Sequence, residues 1–293
     1  MLLRLEEPTL GVLRLEPRYG FRPSRLDLGF PTARAVSEDR VNAHGTIDST
    51  QLYGSRAVTM SVAVVGNSDG ESGWPYRRRD LLDRLRAFLN PGRRSYLYID
   101  DEDGTAERRV LLRGDSAGAP IETPGYAEVS LGWVAPEGIL ELGTQLLVPV
   151  PAVPPSPAGR SYPRRYPLRY PRFSAAGAQG VVNIGTEPAA PIYRIFASKN
   201  PAIINPDTAT VLAFGGTALT GTVQLVGSQY IEVDVRNATA YYNGDRTQSA
   251  YGSIDFARSS FAWLAPGSNR LRLVSETQDP AARVDVLYRP AWI

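Results

Sequence analysis

Only one stretch of the sequence has the periodicity of an α-helix, and this constrains the fold more than any other feature. Between Arg77 and Leu89, the apolar residues recur at i, i+1, i+4, i+7 and i+8, which places them on one helical face: Leu81, Leu82, Leu85, Phe88 and Leu89. Asn90-Pro91-Gly92 predicts the end of this helix, because proline cannot continue it and glycine suits the exit. We therefore expect a mainly β chain with a single helix, whose residues Leu81, Leu85, Phe88 and Leu89 are buried.

Strands of alternating hydrophobicity lie on both sides of this helix. Apolar residues stand at every second position from Val58 to Val64, and strand patterns return in Ser95–Ile99 and Tyr126–Val134. A polar, glycine-rich loop over Gly66–Gly73 follows the first of these strands. A strand–helix–strand insertion of this kind in a β domain predicts a β-sandwich or an open barrel with one flanking helix.

The second half of the sequence indicates strands and turns alone. Its strongest strand patterns are Val181–Ile184, Ile192–Phe196, Tyr230–Val235, Arg270–Val274 and Arg283–Tyr288. Asn243-Gly244 is typical of a tight hairpin turn. Short strands with regular turn signals predict an antiparallel β-sandwich.

A proline-rich segment separates these two β regions. Residues 149–171 contain eight prolines, which favour a stiff, extended polyproline II conformation. The sequence therefore predicts a first domain over residues 1–148, a linker or arm over residues 149–172, and a second domain over residues 173–293.

The second part of the proline-rich segment repeats a Tyr-Pro dipeptide followed by arginine. Tyrosine and arginine are enriched at protein interfaces, so the repeat predicts an arm that contacts a neighbouring subunit or partner. The alternative is a strap that lies on the chain's own domains. The candidate interface residues, which include one tryptophan before the helix, are Trp74, Tyr162, Arg165, Tyr166, Arg169 and Tyr170.

Charge is unevenly distributed, although the net charge is only +2. Residues 1–148 carry 18 basic and 21 acidic side chains, a net charge of −3, whereas residues 149–173 carry five arginines and no acid. Residues 174–293 carry nine side chains of each sign. Both predicted domains are close to neutral, which argues against a dedicated nucleic-acid-binding domain with a basic face.

Residues that usually carry metal or catalytic chemistry are scarce. Cysteine is absent, which excludes disulfides and thiolate metal sites, and His44 is the only histidine. The acidic run Asp100–Gly104 does not fit a calcium loop, because apolar residues stand at two positions where acidic ligands are required. Asp234 and Asp245 could form a hydrolase pair, but no nucleophile elbow or phosphate-binding loop accompanies them. We therefore predict no enzyme, no cofactor and no metal site.

Membrane insertion and secretion are not predicted either. The longest uncharged run, residues 208–231, is long enough to span a bilayer, but its glycines and threonines indicate strands and turns. Charged residues at Arg4, Glu6 and Glu7 interrupt any apolar segment near residue 1, so no signal peptide is expected.

Five motifs of the second half occur in a distinctive order: Asn183–Pro188, Pro191–Tyr193, Pro201–Asn205, Ile231–Asp234 and Phe261–Asn269. The first half adds the strand, the arginine-bearing helix that ends at Asn90-Pro91-Gly92, and the hairpin after it. In this order the sequence resembles the distal tail proteins of long-tailed, siphovirus-type bacteriophages. The resemblance covers nearly the whole chain, and its motifs are turns and strands rather than a chemical signature.

This resemblance implies a structural role in the virion. The first domain would resemble a tail-tube protein and form a homohexameric ring, with galectin-like β-sandwiches outside it. The ring would act as a hub at the distal end of the tail, after synthesis in the host cytoplasm. It would join the tail tube to the tail-tip or receptor-binding proteins and let DNA pass through its lumen without specific binding.

A galectin-like fold does not by itself imply sugar binding. Galectins use a histidine–asparagine–arginine strand with a stacked tryptophan, and this sequence has no histidine beyond His44. Trp263 is therefore predicted to pack in the core of the second domain. The alternative function is a carbohydrate-binding surface module for host recognition, which would use Tyr241, Tyr242 or Trp263.

Overall fold

The computed structural model describes residues 2–34, 37–39, 46–48, 52–66, 77–100, 106–123, 125–153, 178–276 and 279–293. These residues form 23 strands, one α-helix and two short 3-10 helices, Pro17–Tyr19 and Tyr251–Ser253. The chain divides into two compact units, Met1–Gly143 with Trp292–Ile293, and Thr144–Ala291. The predicted fold class, mainly β with one helix, is confirmed.

The first unit is built on one large antiparallel sheet. Its elements are β1 (Leu3–Glu7), β2 (Gly11–Arg14), β3 (Phe21–Asp27), β4 (Ala33–Arg34), β5 (Ser37–Asp39), β6 (Thr46–Asp48), β7 (Leu52–Tyr53), β8 (Arg56–Val65), α1 (Arg78–Ala87), β9 (Arg94–Asp100), β10 (Glu107–Ala117), β11 (Ile121–Thr123), β12 (Tyr126–Ala135) and β13 (Leu140–Leu142). The main sheet has the order β2-β1-β9-β10-β12-β8-β3, so β2 and β3 are its edges among the described residues. Two small pairs, β4 with β7 and β5 with β6, lie outside this sheet.

Alternation along the central strands produces the first core. Val58, Met60, Val62 and Val64 of β8 are at most 1% exposed, while the residues between them are more accessible. β8 pairs along its whole length with β12, whose own apolar residues face the same side. This period-two pattern places one face of each strand in the core and the other face outside it.

Helix α1 packs its apolar stripe against this core. Leu81, Leu82, Leu85 and Phe88 are buried, and Leu89 packs against the same cluster. The carbonyl oxygen of Phe88, at the end of the helix, accepts a hydrogen bond from the buried indole Nε1 of Trp133 at 3.3 Å. The helix end therefore gains a partner for one of its otherwise unpaired carbonyl groups.

The second unit contains nine further strands: β14 (Leu146–Val153), β15 (Gln179–Asn183), β16 (Ile192–Phe196), β17 (Ala202–Asn205), β18 (Thr210–Ala213), β19 (Tyr230–Asp234), β20 (Thr239–Tyr242), β21 (Gly267–Val274) and β22 (Arg283–Tyr288). In the last strand, β23 (Ala291–Trp292), Ala291 is counted with the second unit and Trp292 with the first. The strand order is β18-β17-β21-β14-β22-β16-β19-β20, with β15 also paired to β21. A separate apolar core fills this unit and includes Tyr193, Phe214 and Leu264.

The first residues of the predicted linker form a strand instead. β14 pairs with β22 over residues 146–151 and with β21 at residues 152–153, which places it inside the second unit. Ala152 donates its N–H to the carbonyl of Ala282, and successive N–H groups of a strand point to opposite sides. Pro149 and Pro151 therefore stand at positions where an N–H would point away from β22. Proline is tolerated at such positions because no hydrogen bond to β22 is lost. The units consequently divide between Gly143 and Thr144 rather than after residue 148.

Candidate functional site

The predicted interface residues lie outside the residues that the structure describes. These are Trp74, Tyr162, Arg165, Tyr166, Arg169 and Tyr170, together with most of the glycine-rich loop. His44 and residues 101–104 of the acidic run are outside the described residues as well. The interface assignment of the arginine-tyrosine repeat therefore stays a prediction.

The predicted core position of Trp263 is wrong, since 41% of this residue is exposed. Its neighbour Leu264 is fully buried and exchanges two backbone hydrogen bonds with Ala189, at 2.8 and 2.9 Å. This pairing fixes the local backbone with Leu264 directed into the core. Adjacent side chains of an extended segment point to opposite sides, so Trp263 points outward.

The two acids considered as a hydrolase pair have structural partners. Asp234 accepts hydrogen bonds from the backbone and side chain of Asn237. Asp245 accepts hydrogen bonds from the backbone N–H and hydroxyl of Thr247, and these bonds lower the pKa of the Asp245 carboxyl group. A general acid needs a raised pKa to hold its proton near neutral pH, so Asp245 does not fit that role.

The described residues offer no candidate metal site and no candidate membrane-spanning helix. In that part of the chain, no group of three or more His, Cys, Asp or Glu residues is placed to hold a metal ion. The helices within the described ranges are all too short or too polar to cross a membrane.

The free edge of β2 is the first surface able to make contacts with another chain. Leu15 donates its N–H to the carbonyl of Leu3, so the N–H groups of Val12 and Arg14 point to the side away from β1. Val12 is 45% exposed. An edge strand with free backbone groups can pair with a strand of another molecule.

A pocket of about 390 Å³ lies beside this edge strand. Its lining combines the apolar residues Leu13, Phe21 and Leu81 with the basic residues Arg14 and Arg84. Neither Arg14 nor Arg84 makes an ion pair with another residue of the described chain. The pocket is therefore suited to an apolar segment that carries acidic side chains.

A polar cleft of about 360 Å³ lies on the outer face of β19 and β20 in the second unit. The register pairs Glu232 with Tyr241 and Asp234 with Thr239, which places all four side chains on one face. The turns at the two ends of this strand pair add walls to the cleft, one with Asn237 and the other with Gly244 and Arg246.

The turn after β20 forms as its sequence predicts. Asn243 and Gly244 have φ values of 53° and 70°, and Asp245 donates its N–H to the carbonyl of Tyr242 at 2.9 Å. Two successive positive φ values are the requirement of a type I′ turn, which Asn-Gly meets at little cost. A β-carbon at Gly244 would lie only 3.0 Å from the Tyr230 hydroxyl and would also contact the Glu232 carboxylate at 3.8 Å, so a glycine suits this wall of the cleft.

The sequence alone identified only Tyr241 and Asp234 in this cleft. Glu232 and Thr239 lie on neighbouring strands, and their arrangement across the sheet is not visible in the sequence. Of the other aromatic candidates, Tyr242 packs against the second core and its hydroxyl lies 3.0 Å from that of Ser253. Trp263 is exposed but does not line the cleft.

Comparison with known proteins shows what most of the second unit resembles. Residues 185–292 match the family model described as siphovirus-type tail component, C-terminal domain. This segment is therefore similar to the C-terminal domain of siphovirus-type tail components. The predicted resemblance to distal tail proteins is confirmed.

The whole chain is similar in structure to Dit (gp 19.1) of phage SPP1. Its crystal structure, described as a paradigm of the hub adsorption apparatus in phages that infect Gram-positive hosts, matches with a TM-score of 0.62 and 12% identity over 100% of both chains. This likeness shows that the two proteins share their fold.

Two further structures, of the phage P2 baseplate in its activated conformation with Ca or with Sr, match with a TM-score of 0.48 and 11% identity. Each of these matches covers 98% of this chain and 97% of the other. No curated protein matches the chain in sequence.

Proposed function

We propose that this chain is a distal tail protein, a structural hub at the end of a siphovirus tail. The observation that carries the proposal is the match of residues 185–292 to a tail-component family. It is supported by the fold, which is shared along the whole chain with a phage protein described as part of a hub adsorption apparatus. The role is one of assembly rather than catalysis.

In this role, residues 1–143 build a homohexameric ring, and the second units lie outside it. A closed ring requires one heterologous contact that is repeated around the axis. The main sheet offers two different free edges, β2 and β3, among the described residues. The backbone groups of Val12 and Arg14, next to an arginine-lined pocket, supply one side of such a contact.

The ring would connect the tail tube to the tail-tip or receptor-binding proteins and leave a lumen for DNA. A wall that bound phosphate strongly would retain the genome, since each phosphate contact adds attraction. The net charge of −3 over residues 1–148 is compatible with weak interaction. The Tyr-Pro repeat would add an arm that contacts a neighbouring subunit or tail protein.

Electron microscopy of intact tails tests this proposal directly. We expect the chain in a six-fold ring at the distal end of the tube, with its second unit on the outside. Locating it elsewhere in the virion, or in a ring of another symmetry, would contradict the proposed hub. The purified chain alone is a weaker test, because ring formation could require a tail partner.

A further inference from the structure

We propose that the cleft on the outer face of β19 and β20 binds a neutral saccharide. The inference concerns the second unit alone and goes beyond the hub role, because a ring could assemble whether this cleft is filled or empty. Its lining residues are Glu232, Asp234, Asn237, Thr239, Tyr241 and Arg246.

The cleft presents hydrogen-bonding groups that the protein itself does not use. The hydroxyls of Thr239 and Tyr241 and the guanidinium of Arg246 make no hydrogen bond to another described residue, and all three side chains are at least partly accessible. Glu232 uses Oε2 to accept from Arg194, while Oε1 has no protein partner among the described residues. A ligand here meets carboxylate acceptors, a guanidinium donor and two hydroxyls, a combination that matches adjacent sugar hydroxyls.

The acidic groups are held in position before any ligand arrives. Arg194 Nε donates to Glu232 Oε2 at 2.8 Å from the adjacent strand β16. Asn237 donates to both oxygens of Asp234, from its backbone N–H at 3.2 Å and from Nδ2 at 2.6 Å. Side chains fixed in this way lose little conformational freedom on binding, which favours even a weak, hydroxyl-rich ligand.

The balance of charge selects against ionic ligands. Glu232 is paired with Arg194, which leaves Asp234 and Arg246 as opposite charges at the two ends of the cleft. An anionic ligand would be repelled by Asp234, and a cationic one would be repelled by Arg246. A neutral ring can donate its hydroxyl protons to Asp234 and Glu232 and accept from Arg246. The partly exposed ring of Tyr241 adds an apolar surface for the C–H face of a sugar.

Saturation-transfer NMR on the full-length chain, in a buffer with EDTA, tests the proposal. The probes are D-glucose, D-galactose, D-mannose, L-rhamnose and N-acetyl-D-glucosamine at millimolar concentration, with D-glucuronic acid as an anionic comparison. We expect saturation transfer to at least one neutral sugar and weaker transfer to D-glucuronic acid. The variants Asp234→Asn and Arg246→Ala should each weaken binding about tenfold or more, because a polar partner is lost.

Glu187→Gln is the matched control, since it also neutralises an acid of the second unit but lies outside the cleft. Its binding should equal that of the unchanged protein. Tyr241→Phe removes only a hydroxyl and keeps the aromatic ring, so a reduced signal in this variant would not come from misfolding. Three results would overturn the proposal: no transfer to any of the five neutral sugars, binding unchanged by Asp234→Asn and Arg246→Ala, or stronger binding of D-glucuronic acid.

Discussion

Truncation of Leu85 tests how the first unit is held together. Leu85 is 0% exposed on the inner face of α1, so Leu85→Ala removes three buried carbon atoms. Their transfer to water costs about 2.4 kcal/mol at about 0.8 kcal/mol per methylene. The cavity left behind adds to this cost, and the total loss for such changes is roughly 2–5 kcal/mol. Alanine keeps the helix propensity high, so the loss measures packing.

The assay is hydrogen exchange with mass spectrometry across a urea series, which reports the two units separately. Peptides from α1 and β12 should exchange at lower urea in Leu85→Ala, while peptides from β16 and β19 should not change. Arg86→Ala is the control on the same helix, because Arg86 is exposed and its ion pair with Asp83 at 3.4 Å is worth little. A loss in Leu85→Ala no larger than in Arg86→Ala would refute the packing assignment.

Three other changes test the edge strand, an acidic group and the unit boundary. Val12→Pro removes a backbone N–H from the free edge of β2 and should abolish incorporation of the protein into tails in a complementation assay. Val12→Thr keeps this N–H and should assemble. Equal assembly of the two variants would exclude the edge contact. The hydrogen bond from the Thr9 hydroxyl, followed by backbone N–H donors, lowers the pKa of Glu7. Stability that depends on this lowered pKa is present above the ordinary value of 4.5 and is lost as the pH falls through the pKa of the folded state. In Glu7→Gln, the free energy of unfolding of the first unit should therefore fall less steeply at acidic pH. Circular dichroism should show that a fragment of residues 144–291 is folded and that one of residues 173–291 is not, because the shorter fragment lacks β14 between β21 and β22. Folding of both fragments would contradict the observed strand order.

Local pattern predicted the strands whose two faces differ clearly. The alternation from Val58 to Val64 and the helical stripe from Leu81 to Leu89 are each sufficient to orient their element, because burial follows the period of the backbone. Asn243-Gly244 identified its turn for an equally local reason, the positive φ that both residues tolerate.

Features that depend on distant partners could not be predicted in this way. Pro149 and Pro151 suggested a linker, yet they lie in a strand, because only the position of β22 determines which N–H groups are needed. Trp263 suggested a core residue, but the pairing of Leu264 with Ala189 sets the opposite orientation. To predict the cleft, one must know that Glu232 lies opposite Tyr241 on one side and Arg194 on the other. These pairings are a property of the sheet and not of any one segment.

The assignment of Trp292 to the first unit has a consequence for biosynthesis. The guanidinium of Arg108 lies 4.6 Å from the centre of the Trp292 ring, and Trp292 packs against the first core. A ribosome must therefore synthesise the entire second unit before the first unit receives this residue. The nascent first unit holds Arg108 without its aromatic neighbour during that interval, so the first unit completes its contacts only after the second unit has been translated.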